Sequence, residues 1–207
     1  MKLGQKDFLL LAFNDAKLSL LEYSPELNTL NTISIHYYEK EELKREALLI
    51  KPDPLIRTDP QNRVACLKFF SDKLAILPFK DFSMDTELSK PFLPSFVMSF
   101  AQIHSSIVNV SDFVFLNDFF EPTLAILYDT QPTWTGYLSS RKDNKSLMVV
   151  SLSLSTKTTS ILYRVDNLPY NCHQLLPVPS PTGNARILFN YLNRRCRYFF
   201  TKRYYSC

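Results

Sequence analysis

The chain has 207 residues, enough for one good-sized domain or one and a half small ones, and its 45% apolar and 21% charged side chains exclude a disordered chain. Sixteen Phe and 11 Tyr beside only 3 Gly favour strands, and 13 Pro exclude long uninterrupted helices. The net charge of +4 is uneven: six of the 24 bases lie beyond residue 183 and no acid follows Asp166, so residues 1–183 hold 18 bases against 20 acids, a net of −2.

The predicted elements begin with Phe8 to Phe13, a turn at Asn14-Asp15, and Leu18 to Tyr23, two strand-length runs that read as a hairpin. Ser24-Pro25-Glu26 breaks the second run, and Thr29 to Tyr37 resumes with alternation, which makes a three-stranded meander. Tyr38 to Ile50 is polar and helix-friendly but short, an exposed turn of helix or a loop. Lys51-Pro52-Asp53-Pro54 and Asp59-Pro60-Gln61-Asn62 are breakers. The hairpin layout then recurs in Val64 to Phe70, a Ser71-Asp72-Lys73 turn and Leu74 to Phe79.

Residues 81–91 read as a loop, and a strand is expected from Phe92 to Ile103 after Pro94. Asp112 to Leu116, Thr123 to Tyr128, Trp134 to Ser139, Leu147 to Leu154, Ser160 to Val165 and Cys172 to Val178 complete the strand series. Strand-length runs every 8–15 residues predict an antiparallel all-β fold and leave sandwich, barrel and propeller open. Hairpin units repeating over ~40–60 residues favour propeller blades.

No run of about 18 apolar residues predicts a transmembrane helix, and Met1 to Asp7 do not read as a secretory signal. Cys66, Cys172, Cys196 and Cys207 are scattered, which fits a reduced, intracellular chain better than a disulfide framework.

Chemistry-bearing motifs are few. Glycines 4, 136 and 183 cannot build a phosphate loop. His36, His104 and His173 lie far apart, and Cys172 and His173, adjacent in a strand, point to opposite faces, poor geometry for a metal. Asp118 and Glu121 bracket Phe119-Phe120 and read as a polar turn rather than an acid–base pair. Ser105-Ser106 and Ser139-Ser140 lack a nucleophile-elbow pattern. In the tail, Arg194, Arg195, Arg197, Lys202 and Arg203 interleave with Tyr198, Phe199, Phe200, Tyr204 and Tyr205, a pattern that can hold phosphates and stack on bases.

Several segments resemble one family, the large subunit of the cleavage and polyadenylation specificity factor. Phe13-Asn14-Asp15-Ala16-Lys17-Leu18-Ser19 with Glu22-Tyr23 is similar to its strand pair, and Leu30 to Glu39 to the segment that follows. Asp59-Pro60 with Arg63, Leu77-Pro78-Phe79, Phe92 to Phe96, Phe120 to Leu127, Gln131 to Gly136 and Asn167 to Cys172 keep the family's order. The resemblance covers roughly residues 7–183.

The resemblance implies a partial β-propeller of about two to three blades over residues 1–183, with neither enzyme activity nor a cofactor or metal. It implies a nuclear scaffold for pre-mRNA 3′-end cleavage and polyadenylation that positions zinc-finger and WD-repeat subunits reading the polyadenylation signal, with RNA bound directly or through the complex. The same architecture occurs in a DNA-repair and ubiquitin-ligase adaptor and in a splicing-factor subunit, which are the alternatives. Residues 184–207 depart from the family pattern, as expected of a frame change, unspliced sequence or truncated gene model, with an authentic tail as the alternative. The chain is expected to open inside a blade and to be marginally stable by itself, because a propeller closes only when its ring of blades is complete.

Overall fold

The computed structural model describes residues 2–3, 6–40, 54–80, 91–131, 143–178 and 186–191. They form antiparallel meanders grouped in two compact units, one of residues 1–58 with 62–99 and one of residues 59–61 with 100–207.

In the first unit, strands β1 (Lys2–Leu3), β2 (Lys6–Phe13), β3 (Lys17–Ser24) and β4 (Thr29–Tyr37) form one four-stranded sheet in chain order. Strands β5 (Leu55–Thr58), β6 (Val64–Phe69), β7 (Lys73–Pro78) and β8 (Phe96–Ser99) form a second. The turns are tight, and with so few glycines the chain places other residues at positive φ. Ala16 (57°) closes the β2–β3 turn, Asn28 (51°) the β3–β4 turn and Phe70 (50°) the β6–β7 turn. Asn tolerates that region by bonding its own backbone, whereas Ala and Phe are held there by the surrounding fold.

Sheet register decides which side chains reach the core. Phe8, Leu10 and Ala12 of β2 share a face with Leu18 and Leu20 of β3, because Leu10 sits opposite Leu20 and Ala12 opposite Leu18. These residues, with Ala16 and Tyr38, pack against Ala65, Leu67, Phe69, Ala75, Leu77 and Phe79 of the second sheet. Each fully buried Leu or Phe contributes about 1.5–3 kcal/mol of transfer free energy. Tyr38 and Phe69 stack with centroids 5.6 Å apart, and Tyr38 N–H donates to Ala16 O at 2.9 Å, anchoring the end of β4. Every residue of β6 and β7 is buried, as expected of central strands covered on both faces.

In the second unit, β9 (Asn109–Phe115), β10 (Thr123–Asp129), β11 (Lys145–Ser153) and β12 (Thr158–Leu168) form a third four-stranded sheet. β13 (Cys172–Val178) pairs with β14 (Arg186–Tyr191). Val114, Leu116, Ala125, Leu127, Leu147 and Val149 pack against Leu168, Cys172 and Leu175. All of β10 is buried, while β12 is exposed along most of its 11 residues, which makes β12 the outer edge of the meander.

Most expected strands are present within a residue or three. One expectation is corrected: Phe92 to Ile103 is not a single strand. β8 covers Phe96–Ser99 only, and Phe100–Ile103 (α1) is a short helical turn whose Phe100 and Ile103 are buried. Pro91 and Pro94 remove backbone donors ahead of β8, and the i,i+3 spacing of Phe100 and Ile103 puts both on one side of a helical turn, where a strand would set them on opposite faces. The expected strand at Trp134 to Ser139, the loop at 81–91 but for Pro91, and the polar segment after Lys40 lie outside the described residues.

Candidate interaction surface

The polar groups buried in the second unit are structural in their geometry. Asp112, 3% exposed, accepts Phe113 N–H at 2.8 Å with one oxygen and Leu175 N–H at 2.8 Å with the other. One carboxylate thereby ties β13 to β9. Lys145 Nζ donates to Asp129 Oδ1 at 2.9 Å and Ser111 Oγ at 2.6 Å, and Asn109 Nδ2 donates to Asp129 Oδ2 at 3.0 Å. This charge pair is matched inside the sheet, as a buried pair requires.

His104 and Ser106 are joined in a turn closed on itself. Ser106 N–H donates to His104 Nδ1 at 3.1 Å, and Ser106 Oγ lies 2.7 Å from the same nitrogen and 3.3 Å from Tyr128 Oη. Asp166 sits in a partner set of Ser146 (2.7 Å) and Arg164 (2.8 Å). Burial pushes its pKa up, but the Ser146 hydroxyl and the Arg164 guanidinium outweigh that and hold the carboxyl below its ordinary value.

The other residues singled out from sequence fall as follows. Cys172 is buried and His173 exposed, the alternation expected of neighbours in β13. Asp118 takes a positive φ of 63° in the β9–β10 connection, and Glu121 Oε2 accepts Ser151 Oγ–H from β11 at 2.6 Å. The basic tail residues Arg194, Arg195, Arg197, Lys202 and Arg203 lie outside the described residues. β14 lies beyond the boundary expected at residue 183 and pairs with β13 over Arg186–Tyr191.

What the structure adds is apolar surface. Phe120 stands 99% exposed at the tip of the β9–β10 connection. Ile161, Leu162 and Tyr163 are exposed on the outer strand β12. The largest set is on the first sheet, on the face opposite its core. Register places Leu9, Leu11 and Phe13 of β2 beside Leu21, Ser19 and Lys17 of β3, and Ser19, Lys17 and Tyr23 opposite Ile35, Tyr37 and Leu30 of β4. Leu9, Leu11, Phe13, Tyr23, Leu30, Ile35 and Tyr37 are all exposed there. The signal was in the sequence: Phe8 to Phe13 is continuously apolar rather than alternating, the mark of a strand apolar on both faces.

Comparison with known proteins agrees with this architecture. The family model described as the RSE1/DDB1/CPSF1 first beta-propeller matches residues 1–202. The chain belongs to this family. Its four-stranded antiparallel meanders are blades, and the fold is an all-β partial propeller. A probable cleavage and polyadenylation specificity factor subunit 1 of Caenorhabditis elegans is 34% identical over 186 residues, 90% of this chain and 12% of that protein. Cleavage and polyadenylation specificity factor subunit 1 of Drosophila melanogaster is 32% identical, covering 89% of this chain and 14% of its own length. Protein cft1 of Neurospora crassa is 34% identical over 89% of this chain and 14% of its own. The chain thus spans about one eighth of these relatives.

Proposed function

We propose that this chain is part of a non-enzymatic scaffold subunit of the pre-mRNA 3′-end cleavage and polyadenylation complex, and that it works in the nucleus. The observation that carries the reading is the identity of 32 to 34% to subunits so named, sustained over 89 to 90% of the chain. The exposed apolar sheet face and loop tip described above suit contacts with other protein surfaces better than a reaction. The partners proposed are the zinc-finger and WD-repeat subunits that read the polyadenylation signal.

Affinity capture of the tagged chain from nuclear extract, with mass spectrometry of what is retained, tests this. Recovery of cleavage and polyadenylation subunits is the expected result. Recovery instead of a ubiquitin-ligase or splicing assembly would refute it and favour one of the other branches of the family.

Direct RNA binding is proposed to reside in the tail. Replacing Arg194, Arg195, Arg197, Lys202 and Arg203 by Gln removes five of the six bases beyond residue 183 while keeping β14. Loss of single-stranded RNA affinity, with a flatter salt dependence, is expected; unchanged affinity overturns it. Sequencing the spliced transcript across the codons for Thr182 to Asn190 decides whether Asn184 to Cys207 are the natural continuation.

A further inference from the structure

We infer that Phe120 is the anchor by which this chain docks on a partner subunit, a preformed aromatic knob that seats in an apolar pocket with a basic rim on a folded protein. The inference rests on the membership of the complex proposed above and names the surface used.

Three observations carry it. First, Phe120 is 99% exposed although the fold holds the residues around it. Phe119 packs against the core cluster that contains Val114 and Leu116, and Pro122 is buried. Leu116 N–H donates to Thr123 O and Leu152 N–H to Pro122 O, each at 2.9 Å, while Glu121 Oε2 accepts Ser151 Oγ–H at 2.6 Å. The ring therefore stands in water on a connection tied at both ends. Such a side chain gains its whole apolar burial on binding and orders little backbone in doing so, the two properties of an interface anchor.

Second, the surroundings of the ring are acidic. Between Asn117 and Thr123 the ionisable side chains are two carboxylates, those of Asp118 and Glu121. A nucleobase stacked on Phe120 would bring its phosphates against Asp118, which is exposed. A protein pocket edged with Lys or Arg meets complementary charge instead.

Third, sheet register sets a hydroxyl-rich turn at the same end of the sheet as Phe120. Thr123 pairs with Ser151, and Ser153 two residues on pairs with Thr158 across the β11–β12 turn. In that turn Ser153 Oγ lies 3.2 Å from Ser155 Oγ, and Thr156 Oγ1 2.7 Å from Thr158 Oγ1, both pairs exposed. An aromatic anchor beside short hydroxyl side chains is the chemistry of a protein-binding surface. The ring supplies contact area, and the hydroxyls adapt their hydrogen bonds to the rim of the pocket.

Binding to the immobilised 207-residue chain tests the inference, with three probes: the recombinant zinc-finger subunit, the recombinant WD-repeat subunit and a single-stranded oligouridylate. One of the two proteins is expected to bind. Phe120→Ala should weaken it roughly 10- to 100-fold, mainly through faster dissociation, and Phe120→Tyr should restore most of the loss. Asp118→Asn should slow association and flatten its salt dependence. Leu162→Ala, on the outer strand β12, should leave binding unchanged, and thermal melts by circular dichroism check that each variant keeps the native stability.

Equal affinity of Phe120→Ala and the native chain for that subunit would overturn the inference, as would faster association of Asp118→Asn. So would a Phe120→Ala loss confined to the oligouridylate, which would make the ring a base platform, or one confined to self-association of this chain. These results leave the proposed membership of the complex standing. Binding of neither subunit to the native chain would instead remove that membership and the inference with it.

Discussion

Asp112→Asn removes one oxygen acceptor and the charge from the carboxylate that joins β9 to β13, and keeps the shape of the side chain. In the native chain the two oxygens accept Phe113 N–H and Leu175 N–H, each at 2.8 Å, in a site 3% exposed. An asparagine can accept only one of these; its amide then faces the other N–H, donor against donor. A hydrogen bond to a charged group is worth about 1.5–3 kcal/mol net, and that is the expected loss. Because Leu175 N–H is the group that ties β13 to β9, the loss falls on local opening of β13. Native-state hydrogen exchange at the Leu175 amide should therefore accelerate roughly 10- to 100-fold, at 1.4 kcal/mol per decade. Exchange in β10, buried throughout, should follow global stability instead. An unchanged Leu175 rate, or equal acceleration at every β10 and β11 amide, would refute the assignment of Asp112 as a local tie.

Three further outcomes are expected. The Tyr38 hydroxyl is buried without a well-formed hydrogen bond, the Ser95 side chain being its polar neighbour, so Tyr38→Phe should be neutral or raise stability by up to about 1 kcal/mol in urea melts. Burial raises the Tyr38 phenol above 10.0, with Ser95 only partly offsetting it. Its folded pKa thus exceeds its unfolded one, so its contribution is present below about pH 10 and fades above it, and Tyr38→Phe should flatten that alkaline limb. Asp166 behaves oppositely: its pKa is below 3.8, its contribution holds above that value and is lost as pH falls through it. Asp166→Asn should make acid unfolding less steep below pH 3.8, with no change near neutrality in slope. Lys145→Met strands Asp129 with only the Asn109 amide and should cost about 3–5 kcal/mol in chemical denaturation, whereas Asp129→Leu with Lys145→Met should recover much of it.

The strand pattern was legible because it is written locally. Thr29 to Tyr37 alternates, Val64 to Phe79 is two apolar runs around Ser71-Asp72-Lys73, and prolines and acids mark the breaks. Each of these is a short-range preference of backbone and side chain, readable without knowing what lies across the sheet. The turn at Phe100–Ile103 was not legible, since a four-residue segment is too short to fix a period and only the burial of Phe100 and Ile103 against neighbours selects the helix. Family membership was legible too, in the ordered motifs from Phe13 to Cys172.

The interaction surface was only half legible. Sequence alone established that Phe8 to Phe13 is apolar at every position, and so that β2 has two apolar faces. It also set the alternation that parts Cys172 from His173. Tertiary structure alone decided that Phe8, Leu10 and Ala12 face the second sheet while Leu9, Leu11 and Phe13 face outward. It alone brought Asp112 within reach of Leu175, 63 residues away. The physical reason is the range of the forces involved. Pleat and turn chemistry act between neighbours in the chain, whereas register and sheet packing join residues that sequence distance keeps apart.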